Sequence, residues 1–221
     1  MGQSMGLRQT SMQHAKGSDV LLRFHDAALV RGGRMLFRSV NFALGAGDAL
    51  ILTGPNGVGK SSLLRLAAGL LKPIAGIVER GGPFALADEN LALDMDKPLL
   101  VALFFWARID GRSATDVMAA LESLGMAHLS DIPVRMLSTG QRKRAVLART
   151  IASGAPLWLL DEPANGLDKD SLARLETVIA AHRANGGAAL IASHLPLGVA
   201  GVGTLALEAL PQSAELEEDA F

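Results

Sequence analysis

The sequence predicts an α/β fold, with a mostly parallel sheet as its core, an antiparallel β lobe ahead of it and a helical subdomain inserted into it. Three observations carry this expectation. The second half alternates helical and strand patterns, the order that favours parallel strands joined by helices. A glycine-rich loop stands between a short apolar strand pattern and a helical one. Upstream of that loop, two stretches that mix apolar and polar residues flank a tight turn, as paired half-buried strands do.

The first of those stretches, LLRFHDAALV, is separated from the second, RMLFRSVNFAL, by Arg31-Gly32-Gly33, and Gly45-Ala46-Gly47-Asp48 closes the second. Glycines at such points supply turn conformations. Ala49 to Thr53 is a continuous apolar run, the mark of a strand covered on both faces. The helical pattern from Ser61 to Leu71 is stopped by Pro73. From Leu99 to Leu129 the apolar spacing is mostly helical and breaks at Asp110-Gly111-Arg112, so a helix pair is expected there. A helix follows at 139–152, a strand at 157–160, a helix at 169–183 ended by Asn185-Gly186-Gly187, and a strand at 188–193. Residues 1–18 and the acidic residues 212–221 lack periodicity and read as tails. Between them lies one expected domain, 19–211, with its helical subdomain at about 88–150.

At 221 residues the chain can build one sizeable core but not two domains and a linker. It is 49% hydrophobic yet has no uncharged apolar run of about 18 residues, which excludes a bilayer-spanning helix. A net charge of -1 gives no general electrostatic case for nucleic acid, and the cluster Arg142-Lys143-Arg144 with Arg149 is too local to supply one. No nucleic-acid partner is expected. The absence of cysteine excludes disulfide frameworks and thiolate metal sites. The polar first twenty residues lack the apolar core of a secretory signal, so the cytosol is the expected compartment.

Gly54-Pro55-Asn56-Gly57-Val58-Gly59-Lys60-Ser61 matches G-x-x-x-x-G-K-[ST], after an apolar strand and before a helix. Dense phosphate charge calls for backbone N–H groups turned inward at the positive end of a helix, and Gly57 and Gly59 permit that turn. Lys60 is expected to bridge the β- and γ-phosphates, Ser61 to bind Mg²⁺ through its hydroxyl, and Ser62 to begin the helix proper.

Leu157-Trp158-Leu159-Leu160-Asp161-Glu162 is a buried-strand pattern ending in two carboxylates, at a sheet edge where ligands of open α/β folds collect. Asp161 is placed to hold Mg²⁺, directly or through water. Glu162, one residue on, points elsewhere and is the candidate to polarise a water attacking the γ-phosphate. His194 follows the apolar run Ala188 to Ser193 and is expected at another strand end, against the γ-phosphate. A lone histidine is more often core packing; the order along the chain makes this one a candidate.

Leu137-Ser138-Thr139-Gly140-Gln141 would by itself be an ordinary helix cap. It lies 77 residues after Lys60 and 20 before Asp161, followed by Arg142, Lys143, Arg144 and ALART. In that order, residues of roughly 20–207 resemble the ATP-binding cassette (ABC) ATPases, whose signature reads LSGGQ, with Thr139 in place of its first glycine. The resemblance implies the P-loop NTPase fold of those ATPases, with a RecA-like parallel-sheet core, and ATP with Mg²⁺ as ligands. It further implies an ATP-dependent head-to-tail homodimer, in which Ser138, Gln141 and the N–H of Gly140 meet the γ-phosphate held by the opposite copy. Asn165-Gly166-Leu167-Asp168 matches the family's dimer-spanning D-loop, and Asp168 is also placed to cap the next helix. Lys60, Glu162 and His194 then carry the catalytic roles.

Two family positions do not match. The aromatic residue that usually stacks on adenine is missing: the stretch reads Leu29-Val30-Arg31-Gly32-Gly33, and the chain has no tyrosine. Arg31 is the candidate to stack on the base, with a solvated turn arginine as the alternative. The glutamine that usually reaches Mg²⁺ is replaced by the segment Ala87-Asp88-Glu89-Asn90, in which Glu89 or Asn90 is the expected substitute, Glu89 as a Mg²⁺ ligand. A carboxylate there would repel the γ-phosphate.

Within the family, Leu36-Phe37, SSLLRLAAGLLKPIAGIV, DIPVRMLSTGQRKRAVLART and His194-Leu195-Pro196-Leu197 look like the haem-exporter ATP-binding subunits of bacterial cytochrome c maturation. That likeness implies an ATP hydrolase held peripherally on the cytoplasmic face of the inner membrane. Its partners would be integral membrane transporter subunits of the maturation system, and hydrolysis would drive haem export or release of a haem-loaded chaperone. His14, His25, His128 and His182 are unclustered and suggest no haem ligand. The apolar run Leu99 to Trp106 reads as lobe core, with a face for a membrane-subunit helix. The alternatives are the ATPase of another small transporter, a non-transport ATPase, which usually carries a long coiled coil or a second cassette, and a non-hydrolysing scaffold, against which Glu162 speaks.

Overall fold

The computed structural model describes residues 20–90 and 92–210; the two expected tails lie outside the described residues. Strands β1 (Val20–Arg31) and β2 (Arg34–Gly45) form a long antiparallel hairpin. Gly32 and Gly33 both take positive φ at its tip, the geometry that a two-residue turn between twisted strands requires. After β2 come β3 (Ala49–Thr53), α1 (Lys60–Ala67), β4 (Ala75–Arg80) and β5 (Phe84–Ala87). The helices α2 (Leu99–Ile109), α3 (Ala114–Ser123) and α4 (Thr139–Ala152) follow. The chain returns through β6 (Leu157–Asp161), α5 (Lys169–Ala184), β7 (Ala188–Ala192) and β8 (Gly203–Ala206).

Two sheets result. The antiparallel lobe has the order β2-β1-β4, and the core sheet has the order β5-β6-β7-β3-β8 with every pairing parallel. Strand β3 shows why its sequence is apolar throughout. Ala49 and Ile51 join the cluster packed under α2 to α5, while Leu50 and Leu52 join the cluster shared with α1 and the antiparallel lobe.

Three strands carry no sequence signal. β4 is almost wholly exposed, and β5 and β8 have four residues each, too short for an alternation to show. The first core helix also ends earlier than its apolar pattern: α1 stops at Ala67, not Leu71. Gly69, at φ +75°, turns the chain out of the helix, and Leu70 and Leu71 donate back to the carbonyl of Arg65. Arg80 of β4 caps the end from outside, its guanidinium donating to the carbonyls of Leu66 and Ala67. Pro73 therefore lies beyond the stop.

The helical segment divides its apolar residues between two faces. On α2, Leu99, Ala102, Leu103 and Ala107 are buried, whereas Val101, Phe105 and Ile109, four residues apart, are exposed. Helix α3 opens on a reciprocal cap between Ser113 and Asp116. No helix among the described residues is long and apolar enough to cross a membrane. The carboxyl ends of β3, β6 and β7 meet at one edge of the core sheet, and the loops after them carry the candidate residues.

Candidate nucleotide site

The loop from Gly54 to Gly59 joins the buried end of β3 to α1. Gly54 takes φ +133°, and a Cβ there would stand 2.4 Å from the carbonyl oxygen of Leu207, so no side chain fits. Gly54→Ala is expected to cost about 2–3 kcal/mol, read as a lower thermal midpoint. Gly57 and Gly59 also take positive φ, and Gly59, the cap residue of α1, has no side chain to occupy the helix's first N–H groups. Those donors suit an anion.

Lys60 is only 7% exposed, and its ammonium donates to the carbonyls of Gly54 at 2.8 Å and Pro55 at 3.3 Å. A buried cation is thus held over the loop. Ser61 points the other way, its hydroxyl 3.0 Å from Oδ1 of Asp161 at the end of β6. Burial pushes the Asp161 carboxyl above the ordinary aspartate range; the Ser61 hydroxyl opposes the rise, and the charges of Glu162 and Asp88 add to it.

Glu162 takes φ +49°, an uncommon conformation for a side-chain-bearing residue, and its N–H donates to the carbonyl of Ala192 on β7. This turns its carboxylate away from Asp161's side of the strand end. Oε2 lies 2.7 Å from Nδ1 of His194, and Oε1 lies 4.0 Å from the ammonium of Lys60. A carboxylate only accepts, so the His194 proton sits on Nδ1. The strand ends of β3, β6 and β7 thus bring Lys60, Glu162 and His194 together.

Arg31, at the hairpin tip, reaches the same cleft: its guanidinium is 3.4 Å from the hydroxyl of Ser62. Arg31, Asn56, Gly57, Lys60, Ser61 and Glu162 line one cavity. Val58 is buried beneath the loop. None of Ser138, Gly140, Gln141 or Asp168 lines that cavity.

Those four residues sit at helix starts. Ser138 caps α4, accepting from the N–H of Gln141 while the Gln141 side chain accepts from the N–H of Ser138. Asp168 caps α5, accepting from the N–H of Ser171 at 2.7 Å, a bond that holds its carboxyl below the ordinary aspartate range. Gly140 faces the carbonyl of Gly166 in the loop before α5.

A second cavity opens beside the acidic pair, lined by Ser61, Asp161, Glu162, Asp88, Glu89 and Lys143 among others. Asp88 is half-buried and Glu89 exposed. Asp88 accepts from both the N–H and the side-chain amide of Asn90, which ties Asn90 into a local turn. Sequence reasoning passed over Asp88, though it lay within the segment singled out. Its signal is position: it is the first residue beyond β5, where the chain leaves the sheet at the edge that carries Asp161.

Magnesium takes oxygen donors and keeps several waters and substrate phosphates in its shell. The hydroxyl of Ser61 and the carboxylate of Asp161 are such donors, already adjacent, and their partial burial favours a cation over the bare charge. Among the described residues no cluster of three histidine or carboxylate side chains forms a self-sufficient metal cage. The residues fit an ion that arrives with its nucleotide.

The family model described as ABC transporter matches residues 37–165. The cytochrome c biogenesis ATP-binding export protein CcmA of Sphingopyxis alaskensis is 56% identical over 180 residues, which is 81% of this chain and 93% of the relative. Its namesake from Novosphingobium aromaticivorans is 55% identical over 182 residues, 82% of this chain and 93% of the relative. Among solved structures, the ATP-binding subunit of an ABC transporter aligns with a TM-score of 0.72 at 22% identity, over 79% of this chain and 80% of that one. CbiO1 from Clostridium perfringens, part of the ABC transporter complex CbiONQ, aligns with a TM-score of 0.68 at 23% identity, over 80% and 79%. These two show the shared fold alone. With identity above one half across four-fifths of its length, the chain belongs to the ABC transporter family, alongside the cytochrome c biogenesis ATP-binding export proteins CcmA.

Proposed function

We propose that this chain binds and hydrolyses ATP to power haem export, or release of a haem-loaded chaperone, in cytochrome c maturation. It would act as one half of an ATP-dependent head-to-tail homodimer. The two copies sit on integral membrane subunits of the maturation system, at the cytoplasmic face of the bacterial inner membrane. The relatives' name supports the pathway, and one geometric observation supports the chemistry: Glu162 is held between His194 at 2.7 Å and Lys60 at 4.0 Å, beside the Ser61–Asp161 pair.

In this reading the loop from Gly54 to Ser62 is the phosphate cradle of a single domain over 19–211. Lys60 binds the β- and γ-phosphates. Ser61 and Asp161 hold Mg²⁺, with Glu89 or its neighbour Asp88 as the further oxygen donor on that side. When bound, Mg²⁺ neutralises phosphate charge as the leaving oxygen develops it. Glu162 takes a proton from the attacking water, and His194 fixes one of its oxygens so that the other faces the γ-phosphate. Ser138, Gln141 and Gly140 at the start of α4 close the site of the opposite copy, and Asp168 stands in the loop between copies. The helical subdomain, about 88–150, carries the exposed α2 face to the membrane subunits.

Arg31 serves as the platform for adenine. Its position beside Ser62 at the cavity wall supports this, because a guanidinium presents a flat face to a base. Arg31→Ala is expected to weaken ATP binding about 3- to 30-fold, the span of a stacked cation. A titration with a fluorescent ATP analogue reads it; unchanged affinity leaves Arg31 a solvated turn residue.

The whole reading is tested by purifying the tagged chain from bacterial membranes, identifying the proteins recovered with it and assaying ATP hydrolysis of the same sample. Recovery of cytochrome c maturation subunits with vanadate-sensitive turnover is the expected result. Recovery of an unrelated permease would keep the hydrolase and overturn the cargo.

A further inference from the structure

Lys143 lies on the first turns of α4, a short step from the Ser138 cap, and is half-buried. Its ammonium donates at 2.8 Å to the carbonyl oxygen of Asn165, in the loop that follows Glu162. The N–H of Asn165 in turn donates at 3.1 Å to the carbonyl of Glu162. Two hydrogen bonds therefore run from α4 to the backbone of the residue that faces the γ-phosphate. The fit around them is close. A Cβ on Gly140 would stand 3.6 Å from the carbonyl oxygen of Gly166, and one on Gly166 would stand 3.6 Å from the Lys143 ammonium. The start of α4 and the loop after β6 thus lie side by side with room for little more than a methyl group between them, and Lys143 is the charged clasp that joins them. An ammonium–carbonyl bond is stronger than a neutral one, and its long stem reaches a carbonyl that no helix or strand bond uses.

We propose that Lys143 is a positioning residue that couples the two ATP sites of the dimer, by tying the signature end of α4 to the loop that sets Glu162. The inference rests on the head-to-tail reading given above. In that arrangement the α4 end of each chain meets the ATP of the opposite copy, while Glu162 of the same chain meets its own. A movement of α4 on engaging the distant nucleotide is then passed through Lys143 and Asn165 to the carboxylate at the near one. Glu162 responds because its φ of +49° is held by backbone contacts on both sides, to Ala192 and to Asn165, and not by an intrinsic preference. Lys143 does not line the phosphate-loop cavity, but it lines the neighbouring one with Ser61, Asp161 and Glu162, so affinity for nucleotide is read separately from turnover in the test below.

The test uses the complex purified with its membrane subunits and compares wild type, Lys143→Met and Lys143→Arg. Methionine keeps the stem and removes the donor; arginine keeps a donor. Three readouts are taken: kcat, the Hill coefficient for ATP, and affinity for a fluorescent ATP analogue. Lys143→Met is expected to lower kcat about tenfold and bring the Hill coefficient from near 2 to 1, the fall from coupled to independent sites, with analogue affinity changed less than about twofold. Lys143→Arg is expected to restore both kcat and cooperativity. Wild-type kcat and cooperativity in Lys143→Met overturn the coupling role and leave the dimer reading intact. Equal loss in both variants with a lowered melting temperature also overturns it, by reducing Lys143 to a packing residue. A wild-type Hill coefficient of 1 overturns the coupling, because the sites are then independent, while ATP turnover in that sample still upholds the hydrolase.

Discussion

Lys60→Ala is expected to abolish measurable nucleotide binding. The ammonium is nearly buried and its two partners are carbonyls of the loop itself, so the cation is delivered to the cradle before any phosphate arrives. Phosphate oxygens compete for the same donors as charged acceptors, and a charge-assisted bond replaces a neutral one. Truncating one partner of a buried charge pair costs about 2–5 kcal/mol or more, or about 30- to 10⁴-fold in affinity. The substitution also removes the two bonds that hold Gly54 and Pro55, a separate loss of about 1–3 kcal/mol in stability. The two effects separate cleanly: a titration with a fluorescent ATP analogue reads the first, and a thermal melt without nucleotide reads the second. Affinity within threefold of wild type in a folded variant would sink the phosphate role of Lys60.

What the sequence disclosed and what it withheld follow from the range of the interactions. The phosphate loop was legible because its requirements are local: glycines where φ must be positive, a lysine at one fixed offset, and an apolar strand and a helix on either side. The acidic pair was legible for the same reason, since β6 is four apolar residues with both faces covered and then two carboxylates. Helix α4 was legible to the residue, because the Ser138–Gln141 cap is written within four positions. The early end of α1 was not. Gly69 turns the chain out, but it sits inside an apolar pattern that runs on to Leu71, and the cap that completes the stop is Arg80, thirteen residues beyond Ala67 and on another strand. Asp88 was hidden similarly: its place beside the acidic pair comes from the pairing of β5 with β6, and β5 is too short to announce itself. Lys143 stands in the sequence only as one of a local basic cluster, and the approach of the loop at Asn165 gives it a partner.

Glu162→Gln is expected to keep ATP and lose about 10² to 10⁴ in kcat, the ordinary range for a positioned general base. The replacement is close to neutral in structure. The backbone bonds of residue 162 to Ala192 and Asn165 do not involve the side chain, and an amide oxygen can still accept from Nδ1 of His194. Basicity is removed, together with a charge 4.0 Å from the Lys60 ammonium; Lys60 keeps its two loop carbonyls, so binding measured with the fluorescent analogue stays while turnover falls. His194→Ala is expected to lower kcat as well, by releasing the oxygen it holds at 2.7 Å and letting the carboxylate swing from the attacking water. If His194 acts through Glu162, the double variant Glu162→Gln with His194→Ala is no slower than Glu162→Gln alone, because residues that work as one unit do not add. A double variant slower by the product of the two single losses would show that His194 meets the γ-phosphate on its own account. Undiminished turnover in Glu162→Gln would place the base elsewhere.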